Sequence, residues 1–381
     1  MSQDYIEGRD GAPARYPRHR ASLRSPPRRP ARQGKRRRGL TFAAVAAVVV
    51  AAAVATAVIV MAERRAPVPA RMITRLAIPG LSFEGVSAVG FSPDGTTLAA
   101  GDSTGTTYLW TSATYHQVGA LTDPASEGVQ AVAFSPDGGT LAVGDGDGST
   151  YLWDMPSDRQ IATLRDPASL TGVGVTSVAF SPAGTVLATG DGHEGSTFLW
   201  NVSSRQLLAA TTDPNLPFRS VDTVTFSPDG AILASGDEDG HIYLWDTATH
   251  RLRDALSDPD SQGVNSVAFS PDGTMLAAGD ANGTVYLWDI ATSRPIASLT
   301  VPGDKGIDAL AFSPDGKMLA SGDRNGNGYL WRVTSAASPP VLDVTLTVPG
   351  CQAVNSVAFS PEGTALATGC HNNSVYLWQL G

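Results

Sequence analysis

The sequence predicts an all-β fold built from seven repeated four-stranded units, on three observations. The stretch FSPDGTTLAAGDSTGTTYLW recurs six more times. Phe91, Phe134, Phe180, Phe226, Phe269, Phe312 and Phe359 are each followed 19 or 20 residues later by Trp110, Trp153, Trp200, Trp245, Trp288, Trp331 and Trp378, which uses all seven Trp of the chain. Successive Trp lie 43, 47, 45, 43, 43 and 47 residues apart, room for four short strands with their turns and too long for leucine-rich or ankyrin units. The 40 Gly and 26 Pro suit many tight turns rather than long helices.

Ahead of the repeats, residues 1–39 carry 12 Lys and Arg against 3 Asp and Glu, which leaves -18 on the rest of a chain of net charge -9. With five Pro and almost no large apolar side chain, this segment cannot bury enough surface to offset its conformational entropy; it is expected to be a disordered basic tail. Such charge suits nucleic acid or anionic lipid, but the next stretch gives it a topological meaning. Residues 40–62, LTFAAVAAVVVAAAVATAVIVMA, run 23 residues without a charge. As a helix that is about 35 Å, the length of a transmembrane span. The triplet Ala55–Ala57 has the small residues of a signal cleavage site, yet the apolar run exceeds ~15 residues, which favours a retained signal anchor. Within about 15 to 20 residues of the span, eight Lys and Arg precede it against Arg64, Arg65, Arg71 and Arg75 after it, which is expected to place the N-terminus in the cytoplasm and the repeats outside. Residues 63–71 are then a linker.

Each element of one repeat has a local reason. VNSVAF (Val264–Phe269) alternates apolar and polar residues as a first strand. SPDG is a tight turn in which Pro presets one dihedral and Gly relieves another. TMLAAGD is a second strand, ANG a turn, TVYLWD a third strand rich in β-branched and aromatic residues, and SRPIASL a fourth. A single unit cannot bury both of its faces, so the units must stack on one another.

The FSPDG turn, the Gly before the second hairpin, and Leu-Trp followed by Asp in three repeats resemble the WD-repeat β-propeller family over residues 72–381. The resemblance implies a seven-bladed β-propeller. MITRLAIPG (Met72–Gly80) matches the fourth-strand runs RQIATLRDP and RPIASLTVPG, and the chain stops just after Trp378. The strand at residues 72–78 is therefore expected to complete the last blade and close the ring. The family's strand order brings the chain into that strand from the rim of the SPDG turns, shortly after the span, and turns the other rim away from the membrane.

The family often carries Gly-His before the first strand, its His joined to Asp, Ser/Thr and Trp; no repeat here has it. The position after the second-strand Gly, commonly Ser in the family, is Asp102, Asp145, Asp191, Asp237, Asp280 and Asp323, with Cys370 in the seventh repeat. Two readings stand. Each carboxylate accepts N–H groups of its own turn or the preceding loop in place of the His network. Alternatively, the six form an acidic rim for a basic partner or cation. An aromatic two residues before each Trp (Tyr108, Tyr151, Phe198, Tyr243, Tyr286, Tyr329, Tyr376) reads as interblade packing or as a recognition rim. By family topology Cys351, in the loop into the last blade, shares a rim with Cys370. A disulfide worth on the order of 3 kcal/mol, two free thiols, or a metal site with His371 are the readings, the first agreeing with an exported domain.

No GxSxG elbow, HExxH, phosphate loop or Rossmann fingerprint occurs, and GDGDGS is a repeat turn. The six His are scattered, and Asn201, Asn282 and Asn372, which begin Asn-x-Ser/Thr triplets, carry no assigned role. No catalytic residue, metal or cofactor is expected, and no nucleic acid. The resemblance implies a non-catalytic platform for protein partners, with specificity in the rim loops and channel mouth. A propeller enzyme of hydrolase or lactonase type is an alternative, disfavoured because catalytic sites usually break repeat symmetry. A sensor coupling outside binding to the cytoplasmic tail is another. The Ala/Arg-rich N-terminal region suggests a high-GC bacterium.

Overall fold

The computed structural model describes residues 69–79, 85–122, 126–167, 174–193, 195–212, 220–257, 262–303, 305–334 and 338–381. The expected tail (1–39), membrane span (40–62) and all but the last three residues of the linker (63–71) lie outside them. Among the described residues no helix is long and apolar enough to cross a membrane.

Among the described residues twenty-eight strands form seven four-stranded antiparallel sheets. The inner strands of blades 1 to 7 are Val86–Phe91, Val129–Phe134, Val175–Phe180, Val221–Phe226, Val264–Phe269, Ile307–Phe312 and Val354–Phe359. Each touches the next and the seventh touches the first, so they ring a central channel. Blade 5 shows the plan: Val264–Phe269, Met275–Asp280, Thr284–Asp289 and Arg294–Thr300 pair in that order. Blade 7 instead orders Val354–Phe359, Ala365–Cys370, Ser374–Leu380 and then Ala70–Ala77, from the other end of the chain. That closing strand pairs from Ala70 opposite Leu380 to Ala77 opposite Ser374, and so starts two residues earlier and ends one residue earlier than 72–78.

The third strands sit mid-blade between two neighbouring blades, which is why their residues are buried on both faces and why the sequence spends its Trp there. All seven Trp are 3–7% exposed. At roughly 25 cal/mol per Å² over 150–250 Å², each buries about 4–6 kcal/mol of gross hydrophobic free energy. The indole N–H groups also need partners: those of Trp200, Trp245, Trp331 and Trp378 donate to Thr189, Ser235, Ser321 and Thr368 on the adjacent second strand, at 3.0–3.2 Å. At the closing seam one apolar cluster joins Leu76, Val375 and Leu377 of blade 7 to Val86, Leu98 and Trp110 of blade 1. Fourth strands instead bury one residue, a Leu in six blades and Thr211 in blade 3, against exposed neighbours, and in blade 4 Arg251 and Arg253 among these guard the open outer edge.

Turns divide between two rims. On one rim the SPDG motif folds on itself: the Ser313 hydroxyl accepts the Met318 N–H at 2.9 Å and donates to Asp315 at 2.7 Å. The same Ser-to-carboxylate bond forms at Asp94, Asp137, Asp229 and Asp272. The motif glycines adopt φ near +70°, as at Gly316, a conformation that strains any side chain. Hairpins joining second to third strands, and the loops between blades, meet on the opposite rim. There the Arg324 N–H bonds to Gly306 and that of His371 to Ala353, tying each hairpin to the loop before it.

Candidate functional site at the channel mouth

The repeated Asp residues close their own hairpins. Asp323 accepts the N–H groups of Asn325 and Asn327 at 2.9 and 2.7 Å and the Tyr329 hydroxyl at 2.9 Å. Asp102 takes Thr104 and Thr106, Asp237 takes Asp239 and His241, Asp191 takes His193, and Asp280 takes Asn282. Asp145 reaches further, accepting the Glu127 N–H at 2.9 Å and the Ser126 hydroxyl from the preceding loop. All six are only 0–4% exposed and each accepts at least one backbone N–H, which supports the turn-closing reading of these carboxylates over an open acidic rim. Of the two readings of the repeated aromatic, interblade packing fits better. Tyr151, Tyr243, Tyr329 and Tyr376 are 2–3% exposed, packed between blades.

In blade 7, Cys351 and Cys370 are joined in a disulfide with Cα atoms 5.8 Å apart, which leaves no free thiol. Cys351 stands three residues before the inner strand, where blade 2 has Ser126, and Cys370 stands where blade 2 has Asp145. The bridge is thus the covalent counterpart of the Ser126–Asp145 hydrogen bond. It removes the thiols a metal site would need, and among the described residues no group of three His, Cys, Asp or Glu could hold a metal ion.

What varies from blade to blade lies one residue away from what repeats. Every inner strand carries a β-bulge at its second residue, where the register steps over Ser87, Gln130, Thr176, Asp222, Asn265, Asp308 or Asn355. Bulges re-aim side chains, and here seven polar ones encircle the channel where it meets the opposite rim. Thr176, Asn265 and Asn355 bond to the carbonyl oxygens of Val221, Ile307 and Val86 on the next blade and clamp the ring. Gln130 is exposed, and Asp222 and Asp308 carry charge. Beside them stands the residue following the buried Asp. It is Ser103, Gly146, Gly192, Glu238, Ala281 or Arg324, and in blade 7, after Cys370, His371, different in charge across the ring.

Three carboxylates and one guanidinium therefore gather across blades 4 to 6. Arg324 Nε donates to Asp308 at 2.8 Å, and Asn265 Nδ2 lies 3.3 Å from the same oxygen. Asp222 accepts the Ser220 hydroxyl at 2.5 Å. Burial pushes the Asp222 carboxyl up, opposed by Ser220; Glu238 pushes the same way and Arg324 pulls down. Burial also raises Asp308 against the pull of Arg324. Half-buried carboxylates whose charge is disfavoured by burial suit an incoming cation. Sequence reasoning fixed on repeating positions and passed over these. The signal was the second residue of each inner-strand run, from VSAVGF to VNSVAF, which is polar in all seven blades but charged in only two.

The WD40 family profile, described as WD domain, G-beta repeat, matches residues 80–111, 116–154, 160–201, 216–246, 252–289, 293–332 and 343–379, one match per repeat and more than half of the chain. No curated protein matches it.

Proposed function

This chain belongs to the WD40 family, and we propose that it is a membrane-anchored, non-catalytic platform that holds a basic protein partner at the channel mouth opposite the SPDG turns. One observation carries the reading: seven repeats that are nearly interchangeable in their cores and SPDG turns differ in charge at the bulge residue and at the residue after the buried Asp. Architecture favours repetition, whereas a partner is asymmetric, so its contacts select departures from the repeat. Asp222, Glu238 and Asp308 outnumber Arg324, which supports a partner bearing Lys or Arg. Such a cation would also offset the desolvation of the two half-buried carboxylates.

The anchor rests on the charge-free run 40–62 and the basic flank before it. Placement outside the cytoplasm is supported by the same flank and by the disulfide, since such bonds persist in oxidising compartments. Alkaline carbonate washing should leave the full chain in the membrane fraction, and its release would remove the anchor from the account. The platform is tested by crosslinking the full chain in cells and comparing it with Asp222→Asn/Glu238→Gln/Asp308→Asn. A protein recovered with the wild type and depleted at least about tenfold with the variant supports the reading. Equal recovery with both removes the mouth as the contact.

A further inference from the structure

The SPDG rim repeats less perfectly than it first reads, and each of its two exceptions lines a cavity. Blade 3 has Ala183 and blade 7 has Glu362 where the other five blades have the SPDG Asp. A cavity of about 250 Å³ opens at the seam after blade 3, lined by Ala183, Phe226 and His250. A larger one of about 460 Å³ opens at the seam after blade 7, lined by Phe91, Thr96, Tyr115, Glu362, Thr364 and Leu377. That volume falls in the range of small-molecule sites.

Glu362 does not do what the Asp does. An Asp is short enough to accept both the motif Ser hydroxyl and the N–H two residues on, as Asp94 does from Ser92 and Thr96 at 2.6 and 3.0 Å. With one more methylene, Glu362 overshoots. Ser360 accepts the Ala365 N–H at 3.1 Å, but no described residue donates to the Glu362 carboxylate. Its oxygens lie instead across the seam on Gly95 of blade 1, where a Cβ would stand 2.8 Å from Oε1. A carboxylate freed from its turn thus hangs over a recess walled by Phe91, Leu377 and the Tyr115 ring. Tyr115 itself adopts φ 58°, unusual for so bulky a side chain.

We propose that this seam binds a small organic ammonium compound, its charge on Glu362 and its short alkyl body between Phe91, Tyr115 and Leu377. Carboxylate and aromatic faces both favour a cation, the Leu and Phe surfaces favour methylenes, and the Thr364 hydroxyl offers an acceptor for a further N–H. The site is independent of the channel mouth, on the other rim. The seam after blade 3 has a recess with Ala183 at the equivalent position, and the carboxylate in its lining, Asp229, is held in its own turn by the Ser227 hydroxyl and the Ala231 N–H.

The test titrates the full chain with n-butylammonium, using n-butanol and butyrate as matched probes, and reads binding by ligand-observed NMR. Saturable binding of butylammonium is expected with a Kd on the order of 1 mM or tighter, with at least about tenfold weaker binding of butanol and butyrate. Glu362→Gln should weaken it at least about tenfold. Glu362→Asp is the sharper variant: it keeps the charge and completes the SPDG turn, so it should fold at least as stably and still lose binding as Ser360 captures the shorter carboxylate. Absence of saturable binding up to ~30 mM, or unchanged affinity in Glu362→Asp, overturns the proposal.

Discussion

The two rims of the propeller carry carboxylates tuned in opposite directions. On the SPDG rim, Asp94, Asp137, Asp229 and Asp272 lie near water, and the hydroxyl of the motif Ser, with turn N–H groups, holds each below the usual carboxylate range. Asp315 feels more burial, but Lys317 and Ser313 together outweigh it and hold it at about 2. On the opposite rim, burial raises Asp145, Asp166, Asp222 and Asp308 despite their hydrogen bonds. The difference teaches that one motif, copied nearly verbatim, is a fastener, while the rim that spends free energy keeping charge out of water is where the blades depart from one another.

The largest expected effect breaks that contrast through pH. Asp166 is 5% exposed and accepts the Thr189 hydroxyl that in turn accepts the Trp200 N–H. Burial, with Asp191 nearby and only partly opposed by Thr189, raises it from 3.8 to about 7. Between those values the folded state keeps a proton that the unfolded state releases, so stability is greatest below about pH 4 and falls as pH rises to about 7. The full shift corresponds to about 4 kcal/mol. Asp166→Asn should remove this slope from the melting temperature between pH 5 and 8; an unchanged slope assigns it elsewhere. The SPDG carboxylates work the other way, and their contribution is lost only as pH falls through their lowered values.

Next in size is the disulfide, which closes a loop with a sequence separation of 19 residues. Reduction should cost about 3 kcal/mol in denaturant unfolding. Cys351→Ser/Cys370→Asp rebuilds the pair seen at Ser126 and Asp145, and should be more stable than Cys351→Ala/Cys370→Ala by about 1 kcal/mol or more. Equal stability of the two variants would show that the bridge and the hydrogen bond are not interchangeable.

Smaller effects separate the rims by what they change. Ser313→Ala removes an acceptor from the Met318 N–H and a donor from Asp315, and should lower stability by about 1 kcal/mol without touching partner binding. Arg324→Gln, at an exposed side chain, should shift stability by under about 0.5 kcal/mol while changing partner affinity and its salt dependence. A reversal of that pattern would place recognition on the SPDG rim.

Much of this architecture is legible in the sequence because propeller blades are local objects. Phe and Trp spacing, the SPDG turn and the polar turn before the third strand report contacts between residues a few tens apart. MITRLAIPG betrays the closing strand by likeness to its equivalents. The charged mouth is different in kind. Asp222 and Arg324 feel one another only because blade 5 sits between theirs in a closed ring, and the bulge that turns Asp222 out of register leaves no mark beyond a single polar residue. The six repeated Asp offered two readings from the sequence, turn closure and an acidic rim; their burial and the N–H groups they accept, which no count of charges reports, favour the first.

The most direct measurement places a photocrosslinking residue at Gln130, exposed on the mouth ring, and in a second variant at Lys317, exposed on the SPDG rim, in the full chain in cells. The account predicts a discrete protein adduct from position 130, absent from position 317 and lost when Asp222, Glu238 and Asp308 are neutralised. Adducts from position 317 alone, or from position 130 with no dependence on those three carboxylates, would contradict it.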